Sequence, residues 1–226
     1  MTRFKLSLLL ILTCSCTTFA EKALSENLFT FFSMLNGYYS NKVQLVVDEL
    51  DAEVEDEHDG INAIWRPVPI AALPDDWTFY VEQSVNGVVN RMHIVVFSED
   101  EYGVIHGQVL NVKQPIDYKP KQYEYADLTN VELESEPSPP ECELLFTGLE
   151  KNVIVGSYPD CISKNNRKTP APYSFTVTCH AFTSFVCSPS TFESFARLPY
   201  IFYKKRRYEL PAQWTEGINF TVPCNF

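Results

Sequence analysis

The sequence predicts a mainly β, antiparallel protein, either a sandwich or an up-and-down barrel, with a short helix near its start. Short stretches of branched and aromatic residues recur along the chain, and turn signals such as Asn86-Gly87 separate them. Strands and helices do not alternate in the way that builds a parallel sheet. The chain has 226 residues, of which 45% are hydrophobic, and this suits a single β domain with a real core.

The first twenty residues predict a cleaved secretory signal. Arg3 and Lys5 precede an apolar run over residues 6–13, and small residues then lead to Ala20. The run is shorter than the roughly 20 apolar residues that cross a bilayer. A signal anchor, or a lipoprotein signal that uses Cys14 or Cys16, is the alternative. We expect a secreted protein (extracellular or in the secretory-pathway lumen) with one domain over residues 21–226, a core at about 26–208, and no membrane span.

Charge and cysteine content limit the partners that the chain is expected to have. The formal net charge is −11, and loss of Arg3 and Lys5 with the signal makes it −13, which disfavours nucleic acid. Five cysteines follow the signal, so two disulfides and one spare thiol are the simplest outcome. Their spacing is not that of a zinc site, and we expect no metal. Asn219-Phe220-Thr221 is a glycosylation sequon.

The first predicted element is a helix over residues 25–35. Ser25 is a suitable N-cap, and apolar residues recur at helical spacing until Asn36-Gly37 ends the helix. The acidic residues 51–60 predict a solvated turn in which His58 is exposed. Residues 115–141 predict a surface excursion, and the tail after residue 208 is predicted to be irregular.

The remaining elements are predicted as strands, because branched and aromatic residues alternate with polar ones or form short apolar runs. Pro67 and Pro69 place the second of these strands near an edge or a bend. The predicted strands cover residues 43–50, 63–70, 78–85, 91–97, 104–112, 142–146, 153–157, 174–183 and 200–208.

Sequence motifs for the common enzyme classes are absent: there is no nucleophile elbow, P-loop, zincin motif or dinucleotide-binding glycine motif. His93 and His180 lie in predicted strands, where each side chain either faces a cavity or is a satisfied structural residue. Cys179 and His180 are neighbours on a predicted strand, so their side chains point to opposite faces and do not form a catalytic dyad.

One predicted hairpin carries a group of polar side chains. Tyr80 and Glu82 share a face of its first strand, and Arg91 and His93 share a face of its second. Pairing across Asn86-Gly87 is expected to bring these four side chains together. They form either an exposed cross-strand ion pair, worth about 0.2–1 kcal/mol, or a polar cluster inside a barrel. In the second case Arg91 would bind ligand carboxylates, and Glu82 would hold the arginine or a nitrogen cation.

Several of these motifs resemble the CpcT/CpeT family of phycobiliprotein chromophore lyases. Tyr80-Val81-Glu82-Gln83 followed by an arginine-containing strand is similar to the family's Y-x-E-Q strand and the strand after it. Asn90-Arg91-Met92-His93 stands where the family has two arginines, so either His93 replaces the second or Arg91 shifts register. The likeness covers roughly residues 26–205 and also includes Gly37-Tyr38-Tyr39-Ser40-Asn41, Gln44, Trp65-Arg66-Pro67-Val68 and the pair Cys142 and Cys161.

The resemblance implies an antiparallel calycin/lipocalin-like β-barrel that binds a linear tetrapyrrole (bilin) in a cavity. Family members deliver the bilin to a cysteine of an acceptor protein and form a carbon–sulfur bond, with no other cofactor required. It also implies a Cys142–Cys161 disulfide, which leaves Cys179, Cys187 and Cys224 to supply a second bridge. The implied ligand-binding residues are Tyr80, Glu82, Gln83, Arg91 and His93, and the implied structural residues are Gly37, Asn41 and Gln44.

Three functions therefore stay open at the level of sequence. The first is a bilin lyase or a close relative that transfers the bilin to an acceptor protein. The second is a secreted, non-catalytic carrier of a bilin or another apolar, acid-bearing ligand. The third is a structural or interaction protein whose barrel is filled with side chains.

Overall fold

The computed structural model describes residues 24–51, 58–113, 128–134, 143–150, 152–158, 173–186, 199–221 and 223–224. Within these residues, ten antiparallel strands form a closed barrel, because β1 pairs with both β2 and β10. The predicted mainly β barrel with a short N-terminal helix is thus confirmed. The strands are β1 (Gly37–Ser40), β2 (Ile61–Pro67), β3 (Trp77–Val85), β4 (Val88–Glu99), β5 (Ile105–Asn111), β6 (Leu144–Glu150), β7 (Val153–Tyr158), β8 (Tyr173–Thr178), β9 (Ala181–Val186) and β10 (Tyr200–Arg206).

Helix α1 (Glu26–Leu35) lies across one end of the barrel, which we call the lower end. Ser25 accepts a hydrogen bond from the Leu28 N–H at 3.0 Å, so it is the predicted N-cap. Asn27 Nδ2 donates to Glu99 Oε1 at 2.8 Å and ties the start of α1 to the end of β4. The Tyr39 hydroxyl donates to Leu35 O at 2.7 Å and ties the end of α1 to β1.

The inner face of the barrel is apolar and packs against α1. The Phe31 ring lies 4.9 Å from Phe146, and the Phe32 ring lies 5.1 Å from Phe79. Every strand contributes to this interior cluster, which includes Tyr39, Ala63, Trp65, Phe79, Phe97, Val109, Phe146, Ile154, Val177, Phe182 and Phe202. Aromatic rings thus occupy the lower part of the barrel.

A second, smaller cluster covers the outer face of β2, β3 and β4. It consists of side chains that alternate with the interior ones and is buried beneath residues 68–73 and 128–133. The latter segment is held by a bridge between Val112 and Leu133 and by the Ala71 N–H, which donates to Thr129 O at 2.8 Å. The sheet is therefore buried on both faces here, and we call this group, which includes Ile64, Tyr80, Met92 and Ile94, the outer cluster.

The C-terminal tail packs against α1 and carries a short helix, α3 (Ala212–Thr215), where the sequence predicted irregular structure. The Trp214 ring lies 5.8 Å from Phe32, and the Phe220 ring lies 5.7 Å from Phe29. A disulfide joins Cys179 to Cys224 and is the bridge that the last three cysteines were expected to supply. Cys142, Cys161, Cys187 and the predicted signal over residues 1–20 lie outside the described residues.

The strand prediction for residues 43–50 is wrong, because these residues form helix α2 (Lys42–Leu50). The run of branched valines favours a strand locally. Gln44 and Asp48, one helical turn apart, are nevertheless both buried and hydrogen-bonded to other segments. A helix points both toward the barrel at once, whereas the pattern of valines carries no information about those distant partners.

Two further corrections concern strand boundaries. The predicted strand over residues 174–183 is two strands, β8 and β9, which pair across a turn that contains Cys179 and His180. A tight turn does not interrupt the alternation of apolar and polar residues, so the pattern conceals it. Strand β1 was not predicted, because its four residues directly follow the helix terminator.

Candidate functional site

The β3–β4 hairpin brings three of the predicted site residues to the inner face of the barrel. Gln83 pairs with Arg91, and Val81 pairs with His93. Val81 and Val95 belong to the interior cluster, and side chains two apart on a strand share a face. Gln83, Arg91 and His93 therefore lie on the inner face, toward the barrel end opposite to α1, which we call the upper end.

His93 is the most distinctive of these side chains. It lies opposite Asn111 of β5, whose side chain is hydrogen-bonded to the imidazole. The Nδ1 atom is buried and has no hydrogen-bond partner among the residues that the structure describes. A buried polar atom without a partner is costly unless something else satisfies it. This nitrogen is therefore an unsatisfied hydrogen-bonding group on the inner wall, which a bound molecule would reach only by displacing the side chains that cover it.

The charge state of His93 follows from its surroundings. Burial lowers the pKa of the imidazole, and the positive charge of Arg91 lowers it further. The hydrogen bond with Asn111 and the charge of Glu134 act in the opposite direction but do not reverse the shift. His93 is therefore neutral at pH 7, and its two nitrogens comprise one donor and one acceptor.

Arg91 supplies the positive charge at this end of the barrel. Its side chain is exposed, while His93 and Gln83 are half-buried. Two positions along a strand separate Arg91 from His93, a rise of about 7 Å. A guanidinium at the rim and a neutral imidazole deeper on the same face can bind one molecule that has both an acidic group and a polar group farther along it.

Tyr80 and Glu82 do not join this group, so the expected meeting of four side chains does not occur. They lie on the outer face, where Glu82 pairs with Met92 and Tyr80 pairs with Ile94. Both are buried in the outer cluster region, with exposed fractions of 2% for Tyr80 and 3% for Glu82. The Tyr80 hydroxyl donates to Glu82 Oε2 at 2.9 Å. The sheet thus separates these two side chains from Arg91 and His93.

A β-bulge causes this separation. The turn at Asn86-Gly87 starts the register with Val85 opposite Val88 and Ser84 opposite Val89. Continued without interruption, that register would place Glu82 opposite Arg91, as the sequence suggested. Instead the register shifts between Gln83 and Ser84, and Asn90 is the extra residue. A shift by one residue moves every later side chain of β4 to the other face of the sheet.

On the outer face, Glu82 lies near arginine and tyrosine side chains, of which Arg206 and Tyr208 were not singled out by the sequence. Arg66 pairs with Tyr80 across β2 and β3, and its guanidinium lies 5.0 Å from the centroid of the Tyr208 ring. The Arg206 guanidinium lies 5.1 Å from the same ring. Burial raises the pKa of Tyr208; the two arginines lower it and Glu82 raises it. The charge of Glu82 therefore acts on Tyr208, although the two residues are far apart in sequence.

Gly37 and Asn41, two of the residues to which the resemblance gives a structural role, hold β1 in place. A Cβ at Gly37 would lie 3.0 Å from Arg206 O, so a larger residue would push β10 away. Asn41 Nδ2 donates to Asp59 O at 2.7 Å, and Asn41 Oδ1 accepts from the Ile61 N–H at 2.8 Å. The Asn41 side chain thus connects the end of β1 to the start of β2.

Gln44 makes a similar connection to β10 and takes part in a buried network with His58. Its Nε2 donates to Pro199 O at 2.9 Å, and its Oε1 accepts from the Ile201 N–H at 3.1 Å. His58 Nδ1 lies 2.8 Å from Asp48 Oδ2, and His58 Nε2 lies 3.2 Å from Gln44 Nε2. The prediction that His58 is exposed is wrong, since 5% of its side chain is accessible.

The Asp48–His58 pair has the composition of an acid–base dyad, but its contacts are those of a structural link. We infer that Nδ1–H donates to Asp48 and that Nε2 accepts from Gln44, which occupies both ring nitrogens. A general base needs a nitrogen within reach of a substrate or nucleophile. The pair instead connects the segment before β2 to α2.

Four wider observations complete the description of the site. Within the described ranges, no group of three histidine, cysteine or acidic side chains could hold a metal ion. None of the helices in the described part of the chain has the length and apolarity needed to span a bilayer. The sequon residue Asn219 is exposed. Comparison with protein-family models and with curated proteins finds no match to this chain.

Proposed function

We propose that this protein binds an elongated, largely apolar molecule with carboxylate groups, of the linear tetrapyrrole class, at the upper end of its barrel. The observation that carries the proposal is the buried Nδ1 of His93, which has no partner in the described chain and lies on the same inner face as Arg91. A neutral hydrogen-bonding group and a cation on one wall suit a ligand that is polar at one edge and apolar elsewhere.

The proposed contacts follow from the chemistry of each side chain. Arg91 binds a propionate carboxylate, because a guanidinium offers paired donors that match the two oxygens. His93 forms a hydrogen bond through Nδ1 with a pyrrole nitrogen or a lactam oxygen of the ligand. Gln83, opposite Arg91, offers an amide that is able to donate or accept. The apolar rings of the ligand lie against the interior cluster, which is deeper in the barrel.

The resemblance to bilin lyases supports the choice of ligand class, although the residues it emphasised divide between two faces. If the resemblance extends to catalysis, the protein presents the bilin to a cysteine of an acceptor protein. The acceptor thiolate then adds to the ethylidene carbon, a carbon–sulfur bond forms, and the adjoining ring carbon takes up the proton. In a carrier the ligand binds in the same way and no such bond forms.

A spectroscopic titration tests the proposal. Biliverdin added to the protein is expected to give a shifted visible absorption band that saturates at one equivalent. Arg91→Ala is expected to weaken binding about tenfold or more, since a hydrogen bond to a charged group contributes about 1.5–3 kcal/mol. Lys205→Ala removes an exposed cation elsewhere on the barrel and is the matched control. Unchanged affinity in Arg91→Ala, or no band at all, would contradict the proposal.

A second arm of the experiment distinguishes the lyase from the carrier. The protein loaded with phycocyanobilin, which carries the ethylidene group that biliverdin lacks, is mixed with an acceptor apoprotein, and the acceptor is then denatured and examined for a covalently attached chromophore. Attachment indicates a lyase. Binding without attachment, together with the expected loss of binding in Arg91→Ala, indicates a carrier.

A further inference from the structure

Helix α2 turns an apolar stripe toward solvent. Val43, Val46, Val47 and Leu50 follow the i, i+3, i+4, i+7 spacing that places side chains on one helix face. Their exposed fractions are 44%, 47%, 58% and 81%. The opposite face, with Gln44 and Asp48, is the one that packs against the protein. An ordinary surface helix packs its apolar face on the protein, whereas α2 packs its polar face on the protein and exposes its apolar face.

The charges beside this stripe are arranged in a way that matches a second copy of the same helix. Lys42 and Glu49 are exposed and seven residues apart, so they lie on the same flank of the stripe. When two such helices pack antiparallel across a twofold axis, Lys42 of one helix faces Glu49 of the other, and the reciprocal pair forms as well. In a parallel arrangement this flank of one helix and that of the other would lie on opposite sides of the interface, so no pair of Lys42 with Glu49 would form.

We propose that the α2 stripe is the contact surface of a symmetric dimer of this chain, with the two α2 helices antiparallel. The four apolar side chains of each helix pack against those of the other, and two reciprocal pairs of Lys42 with Glu49 set the direction. The antiparallel arrangement also places each helix N-terminus beside the C-terminus of the other, so the helix dipoles attract.

The size of the surface predicts a weak association. A helix of nine residues is about 14 Å long, and one such face provides much less than the roughly 800 Å² per partner of a standard stable interface. The net charge of −11 also opposes contact between copies. The dimer therefore forms at high micromolar protein concentration, and added salt strengthens it by screening the overall repulsion.

Sedimentation equilibrium over a concentration series tests the dimer. The wild-type protein at about 0.15 M salt is expected to pass from monomer to dimer as its concentration rises. Val47→Lys and Leu50→Lys, which place charge within the stripe, are each expected to raise the dissociation constant about tenfold or more. The matched control is Val88→Lys, which changes an exposed valine of the β3–β4 hairpin outside the stripe and is expected to leave the equilibrium unchanged.

Charge reversal tests the orientation. Lys42→Glu alone and Glu49→Lys alone are each expected to weaken the dimer, because like charges then face each other. A mixture of these two single variants is expected to form mixed dimers, detectable by native mass spectrometry, and the double variant is expected to restore self-association. All substituted side chains are exposed, so circular dichroism should show an unchanged fold.

The results of these experiments distinguish the dimer, the orientation of its helices and a different partner. A protein that stays monomeric up to about 1 mM, or a dimer that tolerates both stripe variants, would overturn the proposal. A dimer that Val47→Lys disrupts, but that the paired charge reversal does not restore, would overturn the antiparallel arrangement. A stripe variant that lowers binding of an acidic or basic protein partner while the wild type stays monomeric would assign the surface to that partner instead.

Discussion

Removing the Cys179–Cys224 disulfide is expected to destabilise the protein by about 4 kcal/mol. The bridge joins residues 45 apart in sequence. In the chain-entropy model, a loop of this length restricts the unfolded chain by about 13 cal/mol/K, or about 4 kcal/mol at 25 °C. The bridge also holds the tail whose Trp214 and Phe220 pack on α1. The double variant Cys179→Ala, Cys224→Ala is the appropriate perturbation, because it avoids reducing other cysteines.

Guanidinium unfolding followed by tryptophan fluorescence measures this loss. The midpoint should fall and the slope should rise, because the unfolded chain is less compact without the cross-link. The melting temperature should drop by about 10 °C, given about 2–4 °C per kcal/mol for a domain of this size. A loss below about 1 kcal/mol with an unchanged slope would show that the tail is held by its apolar contacts alone, and the reasoning from loop closure would be refuted.

Three further predictions concern packing and pH. Phe32→Ala should lower the free energy of unfolding by about 3–5 kcal/mol in chemical denaturation, because this fully buried ring contacts Phe79, Phe97 and Trp214. A loss under about 1 kcal/mol would mean that α1 does not fill the lower barrel. The hydrogen bond with Glu143 raises the pKa of His106 despite partial burial, and Asp100 raises it further. The stability that this adds is complete below pH 6.5 and disappears as the pH rises through the higher folded-state pKa. The difference in denaturation midpoint between wild type and His106→Gln should therefore be largest below pH 6.5 and shrink as the pH rises above it. Burial lowers the pKa of Lys204 to about 7. Between pH 7 and 10.5 the unfolded chain therefore binds one proton more than the folded protein, and stability should rise with pH in this range. Lys204→Met should abolish this increase of stability with pH.

The elements that sequence predicts well are those that local interactions determine. Helix α1 begins at the cap Ser25 and ends at Leu35, as its apolar spacing indicates. The β3–β4 hairpin turns at Asn86-Gly87, and both residues have the positive φ values that this pair favours, 48° and 84°. These features depend on residues a few positions apart, so a single sequence contains them.

The features that sequence misses depend on distant contacts or on one inserted residue. Gln44 is hydrogen-bonded to the backbone of Pro199 and Ile201, more than 150 residues away, and this contact helps to make residues 42–50 a helix. The bulge at Asn90 carries no glycine or other signal, yet it decides which face of the sheet receives Arg91 and His93. The residue types of the site were therefore predictable, whereas their grouping was not.

The central claim is that Arg91 and His93 share the inner wall of the barrel with the ligand, while Tyr80 and Glu82 lie behind that wall. Nitrogen-15 NMR of the histidine side chains during addition of biliverdin examines it most directly. We expect the Nδ1 resonance of His93 to move with saturating behaviour, and the same titration curve in Tyr80→Phe. If biliverdin binds while the His93 nitrogens stay unperturbed, or if Tyr80→Phe alone abolishes binding, the ligand site lies elsewhere and the account is wrong.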